Sequence, residues 1–272
     1  MAEEPSPGHT AGRGVSLLVL ALVGGAVVGL ALGTLGGGGG VLTVPVLTYL
    51  LGMPLAAAAT TSLVIVSVSS LTALSRHAFA GNIDWPAGLL FAAVGLPLAV
   101  GAAVLSSHLP RGLLLTAFAV LAVLAGLAML RKRQPEGQEP AVSVVATRTR
   151  VDRARVAGAG AGLGAVTGLL GVGGGFLVVP TLVTLLSIRM RVAIGTSLLV
   201  IAANSVAALA TRLVTAPVVL DWATTGPFLG AAVLAAWDGK RLSAKVPEAT
   251  LRRVFAGLLL CVAAAMVLDV LT

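Results

Sequence analysis

Residues 33–47 read GTLGGGGGVLTVPVL, in which five consecutive glycines stand between two apolar stretches. Each glycine in a helix interior costs about 1 kcal/mol relative to alanine, so this run is expected to break a helix. In a soluble protein such a run is typical of a flexible linker or a phosphate-binding loop. The composition of the whole chain indicates whether this break belongs to a soluble protein or to a membrane protein.

The composition indicates a protein that lives in a lipid bilayer. The 272 residues are 57% hydrophobic and only 10% charged, whereas about a quarter of the residues of a soluble domain are charged. So few polar residues cannot cover the surface of a soluble protein of this size, and we therefore predict an integral membrane protein. The net charge of +8 does not indicate a nucleic-acid partner. The basic residues stand in short loops between apolar runs, where they act as topology signals.

Apolar stretches long enough to cross a membrane recur along the chain. A crossing helix needs about 20 mostly apolar residues. The candidate spans are Val15–Leu35, Leu55–Leu74, Trp85–Leu105, Gly112–Leu130, Val156–Leu170, Val192–Leu213, Trp222–Trp237 and Val254–Leu271. Two shorter stretches, Val41–Leu51 and Phe176–Ile188, each follow a glycine cluster and each contain a proline. We expect residues 1–14 to form a disordered tail and residues 132–154 to form a polar linker.

The chain contains two copies of one unit. When the sequence is shifted by 135 residues, GLALGTLGGGGGVLTVPVLT at 29–48 aligns with GAVTGLLGVGGGFLVVPTLV at 164–183. Further aligned pairs are TSL at 61–63 and 196–198 and, after a two-residue slip, Asp-Trp at 84–85 and 221–222. Chance does not align so many glycines and prolines. We therefore interpret residues 15–131 and 155–272 as two membrane repeats.

The basic residues predict that the two repeats are inverted. Lys and Arg concentrate on the cytoplasmic side of a membrane. If all five apolar segments of each repeat cross, the linker and the basic cluster at 240–253 both lie inside. If the short segments dip in and return, that cluster faces outside. An odd number of crossings inverts the second repeat and places both termini outside.

The predicted fold is therefore an all-α polytopic membrane protein. It consists of two inverted repeats of about five transmembrane or half-membrane helices each, with broken glycine-rich helices. In this arrangement the central loop, residues 132–154, lies in the cytoplasm.

Interrupted helices at matching positions of inverted repeats are a recurring plan of secondary transporters. Inside a bilayer, unpaired backbone groups at a break are tolerated only where they face protein or a water-filled cavity. The following helix begins with free N–H groups and the positive end of its dipole, which favour an anion. The candidate residues are Gly38, Gly39, Gly40, Pro45, Gly173, Gly174, Gly175 and Pro180.

Close helix packing is the alternative role for glycines in a membrane. It is the role that we expect for two ladders of regularly spaced glycines. These are Gly25, Gly29 and Gly33 in the first repeat and Gly160, Gly164 and Gly168 in the second.

Polar side chains inside the spans form the second part of the candidate site. They are Thr61, Ser62, Thr196, Ser197, Asn204, Arg76 and Arg212. The hydroxyls could donate to an anion or cap their helices, and the amide could bind a ligand or a neighbouring helix. The two arginines could guide an anion or anchor helix ends at the interface. We expect His77 to lie at the interface.

The sequence does not indicate an enzyme. An intramembrane enzyme needs a deep nucleophile–base pair or metal ligands, and His9, His77 and His108 all stand near segment ends. Cys261 lies in an apolar run and predicts neither a disulfide framework nor a metal cluster. We therefore expect no catalytic residue, metal or cofactor. An anion channel or a non-transporting structural membrane protein is the alternative to a transporter.

The doubled motif G-x3-G-x2-G-x-GGG-x4-P, with one copy opening each half, resembles the TauE/SafE sulfite-exporter family of anion permeases. The basic middle loop and the Asp-Trp pair before the fourth segment of each half are similar to that family as well. The resemblance extends from about Val15 to Leu271. It implies a multi-pass transporter of the plasma membrane that moves sulfite, organosulfonates or a related sulfur-containing anion, usually outward. The sequence leaves open whether the protein forms a homodimer.

Overall fold

The structure of the chain is a computed structural model. It describes residues 7–106, 111–131, 150–170, 175–215 and 221–271. Throughout these residues the regular structure is helical, without a strand. The helices are α1 (Pro7–Leu35), α2 (Gly38–Pro45), α3 (Leu55–Phe79), α4 (Trp85–Ser106), α5 (Arg111–Arg131), α6 (Arg150–Leu170), α7 (Gly175–Thr184), α8 (Met190–Thr215), α9 (Trp222–Lys245) and α10 (Glu248–Leu271). The predicted all-α class is confirmed.

Several of these helices are suited to a bilayer. Four stretches of the described residues are long and apolar enough to cross it, namely Val15–Leu35, Ala57–Phe79, Trp85–Ala102 and Met190–Val214. A shorter apolar stretch covers Ala119–Arg131. Large apolar side chains such as Val100, Leu124 and Leu234 are exposed on the outer surface. Such a surface suits lipid rather than water.

The helices extend beyond the apolar stretches that predicted them. α1 begins at Pro7, so part of the expected tail 1–14 is helical, and α6 begins at Arg150 inside the expected linker. α9 continues to Lys245, eight residues past the predicted end of its span at Trp237. Hydropathy marks the part of a helix that lies in hydrocarbon, whereas backbone hydrogen bonding continues into the headgroup region. Proline is also favoured in the first turn of a helix.

The glycine run interrupts the helix over fewer residues than expected. The break covers only Gly36 and Gly37, and Gly38, Gly39 and Gly40 form the first turn of α2. Gly36 adopts the left-handed region with φ +74°, which glycine enters without a Cβ penalty. Glycine keeps its backbone N–H and carbonyl groups, so its cost in a helix is one of backbone entropy rather than of lost hydrogen bonds.

After this turn the chain runs back along α1. A Cβ atom built on Gly39 would lie 2.5 Å from Leu32 Cβ, and one built on Gly24 would lie 2.9 Å from Val46 Cγ1. The contacts of α2 with α1 therefore move towards the start of α1 as the chain advances. One π-helical turn, Val46–Leu50, continues α2 in this direction.

α1 and α9 lie side by side and run in the same direction. The Cβ positions of three glycines on α1 point at carbonyl groups of α9 that are four residues apart. They pair Gly25 with Phe228, Gly29 with Ala232 and Gly33 with Ala236. The spacing of four residues is equal on both helices, so the two axes are parallel. The packing role expected for this glycine ladder is confirmed.

α4 and α6 form a second parallel pair. The Cβ position of Gly160 lies 2.9 Å from the carbonyl oxygen of Phe91, and that of Gly164 points at the carbonyl oxygen of Gly95. The remaining large contacts join α3 to α8, α3 to α9 and α5 to α10. Buried side chains between these helices form a continuous core that includes Leu198 and Phe255.

Three helix ends and one helix start lie at the same end of the molecule. His77 Nε2 is 3.2 Å from the carbonyl oxygen of Gly33, so α3 ends beside the end of α1. The Cβ position of Gly195 near the start of α8 points at the carbonyl oxygen of Asn82, which follows α3. Arg191 donates to the carbonyl oxygen of Ala244 at 3.3 Å, which places the end of α9 there too.

Candidate functional site

The break between α1 and α2 contacts the second half of the chain. A Cβ atom on Gly36 would clash with the hydroxyl of Ser197 in α8, and it would lie 3.3 Å from Val179 Cγ2 in α7. Gly36 is therefore required both by its positive φ and by the lack of space beside it. Gly36 belongs to the repeated glycine motif, but the sequence did not indicate it as a site residue. Its position directly after the last apolar residue of α1, where helices often end on a left-handed glycine, is the signal that would have identified it.

The helical glycines of the first cluster have different surroundings. The Cβ position of Gly39 is blocked by Leu32 Cβ at 2.5 Å and by the carbonyl oxygen of Val28 at 2.6 Å, so helix packing accounts for this glycine. The Cβ position of Gly40 has one neighbour, Val66 Cγ1 at 3.9 Å, and therefore has free space beside it. Within the described part of the chain, Gly40 is the member of this cluster that a small ligand could approach.

The second cluster is described only from Gly175 onward, since Gly173 and Gly174 lie outside the described residues. Gly175 begins α7, and a Cβ atom on it would lie 2.6 Å from Ile201 Cγ1. The two matching prolines also differ, because Pro45 is exposed and Pro180 is buried. An exposed Pro45 is not placed to line an interior site.

Of the four hydroxyl groups predicted for the site, three are hydrogen-bonded to the backbone of the described residues and one is not. Ser62 Oγ donates to the carbonyl oxygen of Ala59 at 2.8 Å, and Ser197 Oγ donates to that of Ile194 at 2.7 Å. Thr196 Oγ1 accepts a hydrogen bond from the backbone N–H of Asp84 at 3.0 Å. Thr61, the counterpart of Thr196, is fully buried, and its hydroxyl has no hydrogen-bond partner within the described residues.

The Asp-Trp pair has a local structural role in both halves. Asp84 Oδ1 accepts from the backbone N–H of Ala87 at 3.1 Å, and Asp221 Oδ1 accepts from that of Ala223 at 3.1 Å. Both aspartates therefore cap the N-terminus of the helix that follows, α4 or α9. The sequence had used this pair only as a mark of the repeat and of the family.

Asn204 lies on a small cavity between α4, α6, α7 and α8. The cavity measures about 10 Å³, which is about the room that one water molecule requires. Its lining residues are Phe91, Gly95, Leu163, Gly164, Thr167, Val178, Val200 and Asn204. Asn204 Oδ1 is buried and has no hydrogen-bond partner among the residues that the structure describes. The amide oxygen therefore makes no bond to a neighbouring described helix, and the cavity beside it has room for one water molecule.

The two arginines do not meet. The guanidinium of Arg76 stacks 4.6 Å from the ring centroid of Trp237, so a cation–π contact fastens α3 to α9. Arg212 is in the last turn of α8, and α8 begins where α3 ends. At 1.5 Å per residue, Arg212 lies roughly 30 Å along α8 from that end. One small anion therefore cannot contact both arginines.

His77 is buried inside the protein, where the ends of α1 and α3 meet. Its side chain is 1% exposed, and Nε2 is 3.2 Å from the carbonyl oxygen of Gly33. This carbonyl lies in the last turn of α1, where no later residue of the helix can satisfy it. His77 thus supplies a hydrogen bond to the end of α1, directly before the break.

Known proteins that resemble this chain are named as probable membrane transporters. Residues 21–266 match the family described as sulfite exporter TauE/SafE. A probable membrane transporter protein of Xylella fastidiosa is 34% identical over 189 residues, which cover 69% of this chain and 70% of the relative. The probable membrane transporter protein YdhB of Bacillus subtilis is 32% identical over 184 residues, covering 64% of this chain and 70% of the relative. No solved structure matches the chain.

The family match covers most of the chain and includes both glycine clusters and all of the candidate polar residues. The transporters that resemble the chain share about a third of its residues over the aligned regions. The doubled glycine motif, the apolar helices and these matches lead to one assignment. The chain belongs to the sulfite exporter TauE/SafE family of membrane transporters.

Proposed function

We propose that this protein is a secondary transporter that moves sulfite, an organosulfonate or a related sulfur-containing anion outward across the plasma membrane. Membership of the family supports transport, and the family description supports a sulfur-containing anion. The relatives from Xylella fastidiosa and Bacillus subtilis are named as probable membrane transporter proteins, without a substrate. The choice of substrate therefore depends on the family description and on the chemistry of the site.

The transporter consists of two inverted repeats. Three packing relationships support this arrangement: α1 and α3 end side by side, α4 runs back from α3 through a short turn, and α6 is parallel to α4. α1 and α6 are the first helices of the two repeats, and they consequently run in opposite directions. The concentration of basic residues supports a cytoplasmic position for residues 132–154.

The substrate site lies where the break of the first repeat meets α7 and α8 of the second. The observation that carries this proposal is the contact of Gly36 with Val179 and Ser197. α2 and α7, which follow the two glycine clusters along the chain, also contact each other. Each of these helices begins with unpaired N–H groups and a positive dipole end, which attract an anion without a buried cationic side chain. The open space beside Gly40 gives an anion access to the start of α2.

The experiment that tests the function is anion flux into liposomes that contain the purified protein. We expect saturable flux of sulfite or of an organosulfonate, and we expect negatively charged analogues to compete with it. A neutral sulfone of similar size should not compete, because dipole ends and N–H donors select for charge. Flux that does not saturate would indicate a channel. The absence of flux for sulfite, sulfoacetate, sulfate and thiosulfate would refute the proposed function.

A further inference from the structure

In each half of the chain that the structure describes, one threonine is buried with an unsatisfied hydroxyl group. Thr61 on α3 and Thr225 on α9 are both 0% exposed, and neither hydroxyl has a hydrogen-bond partner in the described parts of the chain. Buried hydroxyl groups are nearly always bonded, because a buried group that has lost water without finding a partner is unfavourable. A threonine in a helix commonly bonds to the carbonyl group four residues earlier. Thr34 and Thr43 make that bond in this protein, but Thr61 and Thr225 do not.

Each of these two threonines has a counterpart in the other repeat, and in this second copy of the pair the hydroxyl is hydrogen-bonded. A shift of 135 residues places Thr61 on Thr196, and the two-residue slip at the Asp-Trp pair places Thr225 on Gly88. A Cβ atom on Gly88 would lie 3.1 Å from Thr196 Cγ2 and 2.8 Å from Leu199 Cδ2, so α4 and α8 touch there. Thr196 Oγ1 is bonded to the backbone N–H of Asp84 at 3.0 Å. This copy is tightly packed, and its hydroxyl is satisfied.

The other copy differs because its hydroxyls are unsatisfied within the described residues. α3 and α9 pack against each other, and if the register of α4 and α8 is repeated here, Thr225 lies opposite Thr61. Thr225 carries a side chain where Gly88 has none. The carboxylate of Asp221 is already engaged by its own helix, accepting from Ala223 N at 3.1 Å and from Thr224 Oγ1 at 2.8 Å.

We propose that Thr61 and Thr225 together form a hydroxyl pair that binds an oxygen of the transported oxyanion at a second position on its path, roughly 20 Å from Gly36 along α1. Each hydroxyl has one proton to donate, and hydrogen bonds to a charged acceptor are stronger than those between neutral groups. A cation would instead require carboxylate or carbonyl oxygens, and the carboxylate of Asp221 is turned towards its own helix. The assignment rests on the proposed function, and it adds Thr225, a residue outside the predicted site, as a determinant of anion affinity.

Isosteric substitutions test this pair. In Thr61→Val and Thr225→Val the hydroxyl is replaced by a methyl group of similar volume. We expect each to raise the sulfite KM of flux, and the sulfite concentration needed for thermal stabilisation of the purified protein, by roughly 10- to 100-fold. The unliganded protein should unfold at the same temperature or a higher one, because a buried unsatisfied hydroxyl has been removed. A merely structural threonine would not lose affinity while keeping or gaining stability.

Two matched variants serve as controls. Thr225→Ser keeps the hydroxyl and should retain an affinity close to that of the unsubstituted protein. Thr224→Val removes the neighbouring half-buried hydroxyl, which is bonded to Asp221, and should leave the sulfite KM within about twofold.

Three results separate the proposals. A sulfite KM in Thr225→Val equal to that of the unsubstituted protein would overturn the hydroxyl pair and leave transport intact. Thermal stabilisation by Na⁺ alone that is lost in Thr225→Val would overturn it in favour of a cation site. Failure of the unsubstituted protein to bind or move any of the four anions would refute the proposed function itself.

Discussion

The backbone N–H of Asp84 donates a hydrogen bond to the side chain of Thr196 at 3.0 Å, and this bond joins the two halves of the chain. Asp84 precedes α4 in the first half, whereas Thr196 lies in the first turns of α8 in the second. Thr196 is fully buried, so the bond is shielded from water. The position that the sequence had assigned to anion binding is thus occupied by a bond between the repeats.

The first prediction concerns this bond. Thr196→Val leaves the N–H of Asp84 without its acceptor, and we expect the free energy of unfolding to fall by about 1–3 kcal/mol. Thr196→Ser keeps the acceptor and should recover most of that loss. Thermal and denaturant unfolding of the purified protein measure both values. A Thr196→Val protein as stable as the unsubstituted one would show that the bond contributes nothing.

The second prediction separates backbone strain from contact at the break. Gly36→Ala and Gly81→Ala both place a side chain at positive φ, +74° and +67° respectively, and each should cost roughly 1–2 kcal/mol. Only Gly36 has neighbours, because nothing lies within 4 Å of the Cβ position of Gly81. We expect Gly36→Ala to displace Ser197 and to lose most anion flux, while Gly81→Ala retains it. Equal flux in the two variants would argue against a site at the break.

The third prediction distinguishes two neighbouring glycines at the start of α2. Gly39→Val would collide with α1, and we expect it to unfold at a lower temperature as well as to lose flux. Gly40→Val has space beside its Cβ position, so we expect its unfolding temperature to stay within a few degrees of the original. Its flux should nevertheless fall, because the side chain fills the approach to the N–H groups of α2. Unimpaired flux in a folded Gly40→Val protein would remove Gly40 from the site.

The fourth prediction concerns helix packing alone. The Cβ position of Gly29 points at the carbonyl group of Ala232, so Gly29→Ala must push α1 and α9 apart. We expect a loss of stability of about 1–3 kcal/mol, as for overpacked cores. Gly162→Ala is the control, because nothing lies within 4 Å of its Cβ position, and alanine has the better helix propensity. It should be neutral or stabilising, and a loss equal to that of Gly29→Ala would contradict the packing account.

The helices and their glycine ladders could be predicted because the signals are local. Apolar runs of about 20 residues identify membrane spans, and glycines at intervals of four identify a face for close packing. The partner of that face could not be predicted. Gly25 and Gly29 contact α9, some 200 residues away in the chain. The spacing of glycines within one helix does not indicate which distant helix packs against their face.

The roles within the glycine run could not be predicted either. Five identical residues carry no sign of which one turns the chain, which one packs and which one is open. The structure assigns these roles to Gly36, Gly39 and Gly40 respectively. The difference between Gly88 and Thr225, in contrast, is visible in the aligned repeats. Its meaning becomes clear only when Gly88 is found against Thr196.

The meeting of two broken helices at one anion site requires that the two repeats be inverted, and membrane topology tests this most directly. One reporter is inserted after Gln138 in the central loop, and another is fused after Thr272, in otherwise identical proteins. We predict that the reporter at Gln138 is cytoplasmic and that the reporter after Thr272 is outside, because five crossings separate them. Location of both reporters on the same side of the membrane would contradict the inverted arrangement, and with it the shared site.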